Sequence, residues 1–133
     1  MKLFNTETVS DTKINFVDEN NVLVGYDMDH YCCEYAGWFI TKKKYNKVPS
    51  RDIEKLNKIT PDLTNYRFNR AFFEIISADA YEEENILRFK LDNVDYNKPS
   101  LYLHLFNCHN GYYAHGFEVK GIKGIMDITK GYL

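Results

Sequence analysis

SLYLHLFNCHNGYYAHGFEV, residues 100–119, is the stretch whose reading decides the fold. Asn110-Gly111 is the preferred pair for a two-residue type I′ turn, since both central positions need φ > 0, which Asn and Gly tolerate. The expectation is one long β-hairpin folded about these two residues. With His109 facing Tyr112, the opposed pairs would run Cys108 with Tyr113, Asn107 with Ala114, Phe106 with His115 and His104 with Phe117. Side chains then sort by parity. One face carries Leu101, Leu103, Leu105, Ala114 and Gly116, which reads as core. The other carries Tyr102, His104, Phe106, Cys108, Tyr113, His115 and Phe117, an aromatic and titratable patch that is the chain's best candidate binding surface if solvent reaches it. The alternative is a second buried face whose histidines bond to backbone.

Outward from this stretch, alternation and turn residues predict further strands. Lys13–Val17 and Val22–Asp27 read as a hairpin around Glu19-Asn20-Asn21, where Asn takes the left-handed conformation. Tyr35–Thr41, holding Trp38, reads as a strand, as does Tyr66–Ser77, whose aromatic and β-branched content outweighs a partial helical stripe. Asn85–Leu91 alternates cleanly, with Leu87, Phe89 and Leu91 inward and Arg88 and Lys90 outward. Pro49–Leu56 reads as a short helix with Ser50 as N-cap and acids in its first turn. The expected fold is α+β, a mostly antiparallel sheet of six or seven strands with that one short helix, the alternative being an all-β sandwich. It forms a single β-rich domain over residues 1–133, with 1–11 and 121–133 peripheral, the latter adding one short strand.

A chain of 133 residues is long enough to bury a core without staples. A formal charge of -2, with only the short run Lys42-Lys43-Lys44 as a basic cluster, argues against a nucleic-acid partner. No apolar run approaches the length of a membrane span or signal peptide, so the reading is cytoplasmic. Three cysteines, two of them adjacent, do not make a disulfide framework.

Two segments concentrate chemistry. The first is Asp27-x-Asp29-His30-x-Cys32-Cys33-Glu34, between two strands; the second is Cys108-His109 with His115. Candidate ligand-binding residues are Asp29, His30, Cys33, Glu34, His104, Tyr113 and His115. His30, Cys32, Cys33, Cys108 and His115 could supply the roughly four soft or borderline ligands a zinc ion needs, although their spacing matches no usual zinc pattern. A thiol nucleophile at Cys32 or Cys33 would have Asp27, Asp29 and Glu34 nearby, which raise its pKa and work against it. No Gly-rich phosphate loop or nucleotide fingerprint is present. The expected role is therefore a non-enzymatic binding protein without a cofactor that captures a protein partner or small ligand, with a metal- or thiol-dependent enzyme as the alternative.

The pairing of Tyr26-x-x-Asp29-x-x-Cys32-Cys33-Glu34 with Asn110-Gly111-Tyr112-Tyr113-x-His115-Gly116 resembles a family of small uncharacterised domains of bacteriophage and bacterial genomes. The likeness covers about Thr12 to Lys120. The chain departs from it at Ala114, where members often carry Ser, and at His30-Tyr31, where they carry acidic or amide residues. The resemblance implies a β-rich accessory protein of a bacterial cell or phage-infected host, and no mechanism.

Overall fold

The computed structural model describes residues 1–7, 12–28, 35–47, 62–77, 83–109, 115–122 and 130–133. These residues contain nine strands: β1 (Lys2–Glu7), β2 (Thr12–Val17), β3 (Leu23–Asp27), β4 (Tyr35–Thr41), β5 (Tyr66–Ser77), β6 (Glu83–Asn93), β7 (Leu101–His109), β8 (Gly116–Lys120) and β9 (Lys130–Tyr132). One sheet runs β1-β2-β3-β8-β9 and the other β4-β7-β6-β5, with every pairing antiparallel. The all-β alternative therefore fits the described residues better than α+β, and the strands exceed the expected six or seven. The helix expected at Pro49–Leu56 lies outside the described residues. Among those residues no helix is long and apolar enough to cross a membrane.

The local readings of β2 to β6 agree with the structure. Asn21 closes the β2–β3 turn at φ 59°, in the left-handed region that Asn tolerates. The buried Asp18 carboxylate organises that turn by accepting from the Asn20 and Val22 amides at 2.9 and 3.0 Å. It also accepts from the Phe68 amide of β5 at 3.0 Å, tying the two sheets together. Leu87, Phe89 and Leu91 are all fully buried. Arg88 lies on the opposite side of β6 as expected, but it is buried too.

The long hairpin is overturned. β7 lies between β4 and β6, so that His104 faces Phe39 and Arg88, and Phe106 faces Gly37 and Ile86. β8 belongs to the other sheet, where Phe117 pairs with Tyr26 and Gly131. The chain crosses from one sheet to the other between His109 and Gly116. The physical reason is competition for β7's edges. β6 reaches one edge through the loop Val94–Ser100, and β4 fills the other, leaving no edge for β8.

The main core lies between the sheets. Ile14, Phe16, Val24, Tyr26, Phe117 and Val119 from the first pack against Leu87, Phe89, Leu91, Leu103 and Leu105 from the second. Phe16 meets Trp38 edge-on at 5.2 Å. Each such side chain contributes roughly 1.5–3 kcal/mol on burial, which makes this layer the principal source of stability. A smaller cluster, Phe39, Ile86 and Phe106, lies on the other face of the second sheet.

The three-residue β9 is too short to hold by its ladder alone. Two cross-strand contacts fix it instead. Gly131 opposes Phe117, whose ring occupies the space a Cβ would fill, 2.6 Å from its nearest atom, while the Tyr132 ring lies over Gly116 on the other face. Leu133 then exchanges backbone hydrogen bonds with His115 in both directions, at 2.8 and 2.9 Å, and its side chain is buried. Residues 130–133 thus supply the short strand expected of the C-terminal segment.

Candidate functional site

The structure does not bring His104 and His115 together. His104 projects from the middle of β7 away from the main core, whereas His115 lies at the entrance to β8 between the sheets. Both are buried, at 0 and 2% exposure, so neither lines a solvent-accessible patch. Of the aromatic and histidine face expected of residues 100–119, His104 and Phe106 are buried in the second sheet and His115 and Phe117 at the first, while Tyr102 and Cys108 are half-buried. Parity placed Leu101, Leu103 and Leu105 correctly in the core, but the two histidine rings on the opposite side are buried rather than displayed.

His104 stacks flat on Phe39, with centroids 4.4 Å apart and planes 5° from parallel. Its Nε2 accepts the Tyr45 N–H at 3.2 Å, which leaves the proton of a neutral ring on Nδ1. Burial, and then the neighbouring Arg88 cation, push this imidazole down to about 3, against the smaller opposing effect of the Tyr102 and Phe39 carbonyls. A ring so held is neutral at physiological pH. Its Nδ1 makes no hydrogen bond of normal geometry.

Arg88 completes this arrangement. Its Nε donates to Glu74 Oε2 at 2.7 Å and its Nη2 to the same oxygen, while Nη1 donates to the Tyr45 carbonyl at 3.1 Å and to Asn46 Oδ1 at 3.0 Å. Lys44 reaches Glu74 at 3.5 Å and lies 4.7 Å over the Phe72 ring. Residues 44–46 are thereby strapped across the second sheet. This is a structural use of charge, with the buried guanidinium matched to a carboxylate and two oxygens of the loop.

His115 donates from Nδ1 to the Asp27 carbonyl at 2.9 Å, and Tyr26 lies 6.0 Å from its ring. Asn107 donates to the Leu133 carbonyl at 2.9 Å, and Tyr26 donates its hydroxyl to the Phe106 carbonyl at 2.8 Å. These bonds close one end of the sandwich. Tyr35 pairs with Cys108 at the same end, so Met28, Tyr35, His109 and His115, which flank segments 29–34 and 110–114, emerge there together. Asp29, His30, Cys32, Cys33, Glu34 and Tyr113 lie outside the described residues. Of the proposed zinc ligands only Cys108, which is half-buried, and His115 are described. Among the described residues no three His, Cys, Asp or Glu side chains converge as metal ligands would.

The opposite end carries a feature that the sequence reading passed over. Tyr96 is 93% exposed at the tip of the β6–β7 loop, beside Val94 at 48%. The loop is rigidly built: the Asp95 amide donates to Asn93 Oδ1 at 2.8 Å, the Asn97 amide to Asp95 Oδ1 at 3.0 Å, and the Lys98 amide to the Asp95 carbonyl at 3.0 Å. Val94 N–H also donates to the Asn65 carbonyl at 2.8 Å, and Tyr66 to the Pro99 carbonyl at 3.1 Å. Asn-x-Asp and Asp-x-Asn spacing, typical of side chains that fold back on the amide two residues on, was the available signal. No family model, curated protein or solved structure matches the chain.

Proposed function

We propose that this chain is a non-enzymatic binding protein, an accessory protein of phage or bacterial origin acting in the cytoplasm, that captures a protein partner through the Tyr96 loop. One observation carries the reading. Among the described residues Tyr96 is the most exposed large hydrophobic side chain, at 93%, yet the loop bearing it is held by its own hydrogen bonds. An exposed tyrosine on a hydrogen-bonded loop offers large contact area on backbone that is already ordered, the profile of an interface anchor. Tyr132, also strongly exposed among the described residues, lies over Gly116 on the face of a sheet and does not project from a loop. The phage or bacterial origin rests on the Cys-Cys-Glu and Asn-Gly-Tyr-Tyr motifs, and the protein needs no cofactor in this role.

The test uses the full chain as bait in extract from a bacterial host, comparing wild type with Tyr96→Ala and with Asn5→Ala, a change at an exposed residue of β1 in the other sheet. A partner retained by wild type and Asn5→Ala but bound at least about tenfold more weakly by Tyr96→Ala supports the proposal. A partner held equally by all three places the contact elsewhere. Stoichiometric zinc in the purified protein, lost with Cys32→Ser and Cys33→Ser, would instead favour the metal-dependent enzyme.

A further inference from the structure

Across the outer face of the first sheet runs an open groove of about 360 Å³, lined by Lys13, Asp27, Gly116, Glu118, Lys130 and Tyr132 together with backbone of Phe117 and Gly131. That volume is at the lower end for ligand pockets and suits a single-ring molecule. Its floor is low because position 116 has no side chain, and the Tyr132 ring forms a wall 3.8 Å from where a Cβ would stand there. Tyr132 is 79% exposed, so most of its ring remains available to a ligand.

The charges in the groove are unequally committed. Glu118 is engaged through both oxygens, by Lys13 at 2.7 Å and Lys120 at 3.2 Å, and the Lys13 ammonium holds its carboxyl below the usual carboxylate range. Lys13 reaches it by laying its stem over Gly25, where any side chain would obstruct it. Lys130 pairs with Glu118 across the β8–β9 ladder in register, yet its ammonium makes no ion pair or hydrogen bond among the described residues. The uncommitted charge is thus one cation, next to an aromatic wall. Asp27 on the far side disfavours a second negative charge, which selects a monoanion over a phosphate carrying two.

We infer that this groove binds a small organic carboxylate, its flat apolar body against Tyr132 over Gly116 and its carboxylate paired with Lys130. The site is separate from the Tyr96 loop and stands or falls independently of it.

Benzoate is the probe, titrated into the full-length protein and followed by amide NMR, with benzamide as the uncharged isostere and acetate as the anion lacking a ring. Saturable shifts centred on Gly116, Gly131 and Tyr132 are expected for benzoate, weakening as salt is added. Lys130→Met, at an exposed position that leaves the fold intact, should weaken benzoate by about tenfold without altering benzamide. Tyr132→Leu should weaken both rings and leave acetate unchanged. Equal affinity for benzoate and benzamide, or no saturable shift at these residues up to the solubility of the salt, overturns the inference.

Discussion

Arg88 and His104 face each other across the β6–β7 ladder and grip the same residue: Arg88 Nη1 donates to the Tyr45 carbonyl and His104 Nε2 accepts the Tyr45 N–H. His104, a candidate site residue in the sequence, and Arg88, expected only to face outward, are therefore the clasp of a loop. Because the clasp needs a neutral imidazole, its strength depends on pH.

The acid limb follows from that neutrality. His104 titrates near 6.5 when unfolded and about 3 when folded. Above pH 6.5 both states are neutral and the group adds no pH dependence. Below it, only the unfolded chain takes up the proton, so stability falls by up to roughly 1.4 kcal/mol per pH unit until the folded group also titrates. Urea denaturation from pH 7 to pH 4 should show this slope. His104→Gln, which keeps an acceptor for Tyr45 but does not titrate, should flatten it.

Arg88→Lys should not be conservative. An ammonium cannot serve Glu74, Tyr45 and Asn46 from one planar fork, so oxygens on the strap lose donors. A loss of about 1–3 kcal/mol is expected, by analogy with other broken buried hydrogen bonds to charged groups. Faster amide exchange at Tyr45 should accompany it, reporting release of the loop rather than general unfolding.

The two glycines that seat β9 should respond differently to a methyl group. Gly131→Ala places a Cβ 2.6 Å from the Phe117 ring, which is packed in the core and has little room to move, whereas Gly116→Ala meets Tyr132 at an ordinary 3.8 Å. Melting should fall markedly for Gly131→Ala, by about 1–3 kcal/mol. For Gly116→Ala it should change by less than about 1 kcal/mol.

What the sequence revealed was local. Asn21 announced its turn because a left-handed residue between two alternating runs leaves few options, and Leu87, Phe89 and Leu91 announced their face by period alone. Asn110-Gly111 carried an equally good local signal, yet the strands beside it joined different sheets, because pairing is decided by which edges remain after β4 and β6 have taken their places. His104 and His115 were misread for a related reason. Parity states which residues share a face, but not what covers that face, and Tyr45 covers His104 from 59 residues away in the chain. Tyr96 left no hydrophobic pattern at all, since what distinguishes it is exposure at the tip of a hydrogen-bonded loop.

The central claim is that the histidines of residues 100–119 are interior structure while the accessible chemistry lies on Tyr96. Thermal denaturation of His104→Ala, His115→Ala and Tyr96→Ala, measured side by side, tests it most directly. Both histidine variants should lose about 2–4 kcal/mol, since each removes a buried ring and its hydrogen bond. Tyr96→Ala should stay within about 0.5 kcal/mol of wild type, because its side chain is already in water. Histidine variants as stable as wild type, or a Tyr96→Ala protein that melts with them, would contradict it.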